Sequence, residues 1–180
     1  TCRDGLVRLW NVAQGTPTGP VFRHAKWVNT VEFSPNGVRL LTAADDGVAQ
    51  VWDIRTGAAV GKPLRHAKVV KMAAFSSDGQ KVVTASEDGT ARIWQAASGD
   101  PIGDPLLHSG RVNLATFSPD GRWVATASAD QTARVWDATS GTPVTDALRH
   151  NGIVRWVEFS PEGQRLATTS EDRTARVWSV

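Results

Sequence analysis

Short runs of alternating apolar and polar residues fill this chain, and Gly, Pro, Asn or Asp interrupts them about every 8–12 positions, the spacing of an all-β protein. Residues 27–33 (WVNTVEF) are rich in β-branched side chains at a period of two, which predicts a strand, here strand a. Residues 34–37 (SPNG) predict a turn, because Pro presets φ and Gly accepts φ > 0. Residues 38–43 (VRLLTA) are more continuously apolar and read as strand b; Asp45-Asp46-Gly47 is a hairpin signal; residues 48–53 (VAQVWD) alternate again as strand c. After a turn at Arg55-Thr56-Gly57, residues 59–65 give strand d, whose Pro63 cannot donate to a ladder and so marks an edge. No segment carries a helical period over a useful length.

The same pattern returns without insertion. His24, His66, His108 and His150 are 42 apart, as are Trp10, Trp52, Trp94, Trp136 and Trp178, and Asp4, Asp46, Asp88, Asp130 and Asp172. Self-similarity at a fixed period of this size marks a repeat architecture. Over the first 31 positions from each His, nine are identical in all four repeats: His24, Val28, Phe33, Ser34, Gly37, Thr42, Asp46, Ala49 and Trp52 in first-repeat numbering. The chain divides into a partial repeat at 1–23 (strand c at 6–10, strand d at 18–22), full repeats at 24–65, 66–107 and 108–149, and a repeat at 150–180 that lacks strand d. Each unit is an antiparallel meander of four strands, apolar on both faces, which only neighbouring units can cover. Radial stacking of such sheets is a β-propeller.

Composition narrows the reading. The 180 residues are 41% hydrophobic and 21% charged, which suits a globular protein rather than a disordered one. A net charge of +2, with the basic residues spread through the repeats, is weak ground for a nucleic-acid partner. Cys2 stands alone, so no intrachain disulfide forms, and a reducing, cytoplasmic location is expected. No apolar run reaches the roughly 18 residues of a membrane helix, and residues 1–10 have no signal-peptide core.

The unit of His, Thr, Asp and Trp resembles the WD-repeat β-propeller family, whose blades run about 40–45 residues. Trp52-Asp53 and Trp136-Asp137 carry the naming dipeptide; Trp10-Asn11, Trp94-Gln95 and Trp178-Ser179 depart from it. The family's Gly-His is Arg23-His24, Arg65-His66, Leu107-His108 and Arg149-His150 here. The likeness between repeats is similar to that of bacterial WD-repeat arrays. The resemblance implies about four blades per chain, each holding a hydrogen-bonded tetrad: Asp46, His24, Thr42 and Trp52; Asp88, His66, Thr84 and Trp94; Asp130, His108, Thr126 and Trp136; Asp172, His150, Thr168 and Trp178. The residue types suit such a relay. A neutral imidazole has one donor and one acceptor and bridges a carboxylate to a hydroxyl, while the indole N–H only donates.

Thr, His and Asp in one blade also match the types of a hydrolase triad. A catalytic set is normally unique, whereas this one occurs four times, so the tetrads read as structural and no enzyme is expected. The four histidines fall one per blade, which sets them apart around a ring, so no metal site is expected. The Asp-Gly pairs lack the ligand alternation of Ca²⁺ loops and read as turns. No cofactor is implied.

Counting strands leaves the last repeat without a strand d and the N-terminus with a spare one. In WD-repeat propellers a terminal strand closes the ring, which assigns that role to 18–22 and makes 6–10 redundant. Two arrangements follow. Two chains complete an eight-bladed ring as a homodimer, each lending strand d to the other, or the chain is part of a larger propeller attached to a signalling enzyme. The resemblance also implies a partner-binding top face, built from Trp27, Val69, Arg111 and Ile153, from Asn29, Lys71, Asn113 and Arg155, and from Asp45, Glu87, Ala129 and Glu171. Lys71 and Arg155 are candidates for phosphate contact, and Trp156, within a strand a, is expected to pack inside. The function expected is a non-catalytic protein–protein interaction scaffold. The alternative is a nucleic-acid or phosphate-ligand module.

Overall fold

The computed structural model describes residues 4–180, in which seventeen strands form five antiparallel sheets and no helix occurs. The first sheet is a hairpin of β1 (Leu6–Asn11) and β2 (Thr16–Arg23). The second runs β3 (Val28–Phe33), β4 (Arg39–Ala44), β5 (Val48–Asp53) and β6 (Ala59–Arg65) in chain order. The third holds β7 (Val70–Phe75), β8 (Lys81–Ser86), β9 (Thr90–Gln95) and β10 (Pro101–Leu107). The fourth holds β11 (Val112–Phe117), β12 (Trp123–Ser128), β13 (Thr132–Asp137) and β14 (Leu148–Arg149), and the fifth has β15 (Val154–Phe159), β16 (Arg165–Ser170) and β17 (Ala175–Ser179). This is the all-β succession of antiparallel sheets that the repeats predict, four-stranded in the three full repeats, and strands a to c lie within a residue of their expected bounds.

Where two sheets adjoin, each buries the face it turns to its neighbour, because the neighbour supplies the cover. Between the second and third sheets, Leu41, Ala43, Val51 and Leu64 meet Val70, Ala73, Phe75, Val82 and Trp94. The next interface repeats this with Val83, Ile93 and Leu106 against Val112, Ala115 and Phe117, and the one after with Leu114, Ala125 and Val135 against Val157, Phe159 and Leu166. Burial of each such Val, Leu or Phe side chain contributes about 1.5–3 kcal/mol, so the array is held chiefly between sheets.

Three expectations need correction. First, strand d of the third full repeat is only the two residues of β14 plus a single bridge from Trp136 to Pro143. In β2, β6 and β10 the register jumps at Gly19, Gly61 and Gly103, whose φ values are 70°, 68° and 65°. The corresponding residue 42 positions beyond Gly103 is Thr145. A β-branched side chain does not adopt that left-handed conformation at low cost, so the jump cannot form and most of the strand is lost.

Second, residues 18–22 do not close a ring within the chain. Thr16–Arg23 pairs with Leu6–Asn11, and β17 forms the unpaired edge of the last sheet. The short turn at 12–15 makes that hairpin far cheaper in loop entropy than a closure spanning the chain. Third, Trp156 is 51% exposed rather than packed, although its counterpart Leu114 is buried. Nothing among the described residues covers that face of the last sheet.

Candidate functional site: four buried relays and the face they hold

In the second to fifth sheets the second strand places a Thr opposite the third strand, two pairs away from the Trp, and the His arrives from the segment leading into the first strand. In the second full repeat, the indole N–H of Trp94 donates to Thr84 Oγ1 at 2.9 Å, His66 Nε2 lies 2.7 Å from that hydroxyl, and His66 Nδ1 lies 2.9 Å from Asp88 Oδ2. The other three sets match it. The imidazole-to-hydroxyl distances are 2.6 Å for His24–Thr42, 2.7 Å for His108–Thr126 and 2.8 Å for His150–Thr168. The imidazole-to-carboxylate distances are 3.1 Å to Asp46, 2.8 Å to Asp130 and 3.0 Å to Asp172. Trp52, Trp136 and Trp178 donate to their Thr at 2.8, 2.9 and 2.9 Å. Each His meets its Trp edge-on, with ring centroids 6.0–6.1 Å apart.

The proton order follows from the donor inventory. An ionised Asp only accepts, so Nδ1–H donates to it; Nε2 is then an acceptor and takes the hydroxyl proton, while the hydroxyl oxygen accepts from the indole. Burial works in the same direction, pushing His66 and His108 below the ordinary imidazole range of 6.5 and keeping them neutral. Burial on its own raises Asp88, but the hydrogen bonds from Thr90 and His66 outweigh it and bring that carboxyl down to about 2. All four Thr side chains are fully buried, so no substrate reaches the hydroxyl that a triad chemistry would need as nucleophile. Among the described residues no three His, Cys, Asp or Glu converge as a metal site, and Cys2 lies outside those residues.

The relays have partners that the four-residue reading missed. Thr90, Thr132 and Thr174 donate through their hydroxyls to Asp88, Asp130 and Asp172 at 2.7, 2.6 and 2.6 Å. Ser86, Ser128 and Ser170 each accept the backbone N–H of the same Asp at 3.1 Å. The signal was the shared spacing Ser-x-Asp-x-Thr, which the first full repeat replaces with Ala44, Asp46 and Val48.

Beside the relays a bulge in each first strand decides which side chains are presented. The register shifts at Asn29, Lys71, Asn113 and Arg155, directly after the shared Val of each first strand. Three of these reach the residue before the tetrad Asp. Asn29 donates to Asp45 at 2.8 Å, Lys71 pairs with Glu87 at 2.9 Å, and Arg155 pairs with Glu171. The two Asn side chains also donate across to the next sheet, Asn29 to Val70 O at 2.9 Å and Asn113 to Val154 O at 2.8 Å. Sequence reasoning named these positions but not their pairing, which a constant separation of 16 residues between opposite chemistries carried. The fourth sheet breaks the scheme, because Ala129 stands where the others have an acid. Arg111 is exposed there and makes no ion pair among the described residues, while Trp27 is 38% exposed and Val69 and Ile153 are half-buried. Between the second and third sheets, Lys26, Asp45, Lys68, Val69 and Glu87 line an open groove of about 320 Å³.

The pattern for "WD domain, G-beta repeat" matches residues 15–53, 61–95, 103–137 and 141–179. The chain belongs to the WD-repeat family. Each match takes in all or part of the outer strand of one sheet and ends with the third strand of the next, so the sequence repeat bridges two sheets and links them covalently. The chain is also similar to Lissencephaly-1 homolog 1 of Paramecium tetraurelia, at 40% identity over 43 residues, which is 24% of this chain and 11% of that protein. WD repeats commonly mediate protein–protein interaction.

Proposed function

We propose that this chain is a non-catalytic protein-interaction scaffold that recognises its partner through the top face. The observation that supports the reading is the state of the charges there. Lys71 and Arg155 are already matched by Glu87 and Glu171, so what the face offers an incoming surface is Trp27, Val69, Ile153 and the unmatched Arg111. Trp and Arg are the residue types most enriched in interface hot spots. The same pairing weighs against the nucleic-acid or phosphate-ligand alternative, which needs those cations free. The test is a Trp27→Ala/Arg111→Ala double variant. A protein partner retained by the native chain binds it roughly tenfold or more weakly, with an unchanged melting temperature. Unchanged binding overturns the reading; retention on heparin that salt reverses replaces it with the nucleic-acid alternative.

We propose as well that two chains associate as a homodimer. Large apolar side chains at both ends of the array, Phe33 at 56% exposure and Val177 at 69%, support this, since open sheet faces and edges demand cover. Light scattering at micromolar concentration gives twice 19.3 kDa on this proposal, and a monomer mass rejects it.

A further inference from the structure

We propose that the fourth sheet receives a carboxylate from the protein partner: an Asp or Glu side chain takes the place of the acid missing at Ala129 and is held by Arg111 and Asn113. This rests on the top-face reading above and names the group on the partner that the face recognises.

The other sheets define the place. In the second, third and fifth, the bulge residue of the first strand and the residue 16 positions on pair as donor and acid: Asn29 with Asp45, Lys71 with Glu87, Arg155 with Glu171. The fourth sheet keeps the donor, Asn113, and replaces the acid by Ala129.

The second sheet is the closest comparison, because its donor is also Asn. There one amide nitrogen makes two bonds, to the Asp45 carboxylate at 2.8 Å and across to Val70 O at 2.9 Å. Asn113 repeats the second of these, to Val154 O at 2.8 Å, so its amide is anchored in the same way. A side-chain amide carries two N–H donors, and the other N–H of Asn113 has no acceptor among the described residues.

Arg111 supplies the charge. Its carbonyl accepts the backbone N–H of Ala129 at 2.9 Å, which sets the two residues side by side. Its side chain is exposed and makes no ion pair among the described residues. The equivalent residues Trp27, Val69 and Ile153 are uncharged, so a cation stands at this position only in the sheet that lacks the acid. A guanidinium holds a carboxylate through two parallel N–H bonds, and the Asn113 amide adds a further donor beside it.

The surroundings favour a carboxylate over a phosphate. Asp130 follows Ala129 directly, and its oxygens already accept from His108, Thr132 and the Ser109 N–H. Asp45 sits beside Asp46 in the same way, so one further negative charge is tolerated there. A phosphate group brings nearly two, next to Asp130 and with Glu87 and Glu171 on the adjoining sheets.

The test selects a display library of short random peptides on the native chain. The recovered peptides are expected to share one Asp or Glu. Changing that residue to Asn or Gln weakens binding to the native chain roughly tenfold or more, as expected for a lost charge-assisted bond. Ala129→Glu, which writes the neighbouring sheets' acid into the fourth, removes the difference: both peptides then bind as the neutral one binds the native chain, at an unchanged melting temperature. The side-chain amide signal of Asn113 in hydrogen–nitrogen correlation spectra shifts with the acidic peptide and not with its neutral form. Peptides that share no acid, or an acid whose removal costs as much on Ala129→Glu as on the native chain, overturn the carboxylate site and leave the top-face reading to its own Trp27→Ala/Arg111→Ala test. So does a library from which the native chain selects nothing. Displacement of the peptide by inorganic phosphate but not by acetate, at equal ionic strength, overturns the site in favour of a phosphate group.

Discussion

The outer strands of the third and fourth sheets keep three of seven residues in common, PIGDPLL against PVTDALR, and differ by most of a strand in structure. β10 spans Pro101–Leu107, while its counterpart holds only Leu148–Arg149. The inner three strands of the same two sheets pair in identical register, from Val82↔Trp94 and Val124↔Trp136 outward. What separates them is how many things fix the backbone. The second and third strands are held by ladders on both sides, and all three are held by buried apolar faces and by a relay that links them. The outer strand is held by one ladder and one left-handed glycine, so replacing Gly103 by the equivalent of Thr145 is enough to undo it. The left-handed demand is not intolerable everywhere. Gln131 and Arg173 sit at φ of 70° and 68° in the turns after the tetrad Asp, where the Asp side chain accepts the backbone N–H of Thr132 or Thr174 and holds the turn. An unbranched side chain in an anchored turn survives; a β-branched one in an unanchored strand does not.

The largest way to break the contrast is to remove the device that makes the inner strands uniform. His66→Ala strands Thr84 and Asp88 in a buried setting, at about 1–3 kcal/mol for each unsatisfied group. Trp94→Phe removes one donor and has the smaller effect of the two. Both are expected to lower the melting temperature while leaving the top face of the other sheets unchanged, and a melting temperature equal to the native value contradicts the role given to the relay.

Next in size is Gly103→Thr, which writes the fourth sheet's residue into the third. A Cβ there meets Ser140 O at 3.0 Å, and φ is 65°. The expected cost is about 1–3 kcal/mol, the range for a residue held in a sparsely populated backbone region. Amide exchange at Leu106 and Leu107 should rise to the level of Leu148 and Arg149; continued protection there separates strand loss from glycine.

Acid acts on the relays without a mutation. His66 and His108 have lower pKa values folded than unfolded, so the unfolded chain takes up protons first, and the stability they contribute is full above about pH 6.5 and declines below it. Asp88 titrates near 2 when folded against 3.8 unfolded, so its contribution is lost only between about pH 4 and 2. Denaturant midpoints measured from pH 7 downward should therefore fall in two stages, and the first stage should shrink in His66→Ala. A single fall below pH 4 would mean that the imidazoles are not held neutral.

Much of this was legible in the residues. The period of two fixed the strands, and three residue types in phase located the relays, because a buried polar network needs the same partners each time it is built. The outer strand of the fourth sheet was legible in principle, in Thr145 against Gly61 and Gly103, but only once the backbone at those glycines was known to be left-handed. The exposure of Trp156 was not legible at all. Its own strand alternates as Leu114's does, and what covers a sheet face belongs to the neighbour rather than to the residue.

The smallest effect sharpens the comparison from the other side. Thr145→Gly restores the residue that permits the register jump and removes a hydroxyl whose oxygen is buried without a hydrogen-bond partner. Against these gains stands the extra freedom that Gly loses on folding, roughly 0.5–1 kcal/mol relative to Ala. Since an orphaned buried polar group costs about 1–3 kcal/mol, the balance favours the substitution by about 1 kcal/mol. Slower exchange between Pro143 and Arg149, with a modest rise in melting temperature, is the expected result. Ala in place of Thr145 separates the two contributions: it removes the hydroxyl but, carrying a Cβ, does not accept the left-handed backbone. If Thr145→Ala stabilises as much as Thr145→Gly while exchange stays fast, the orphaned hydroxyl matters and the glycine does not, and the lost strand needs a cause other than residue 145.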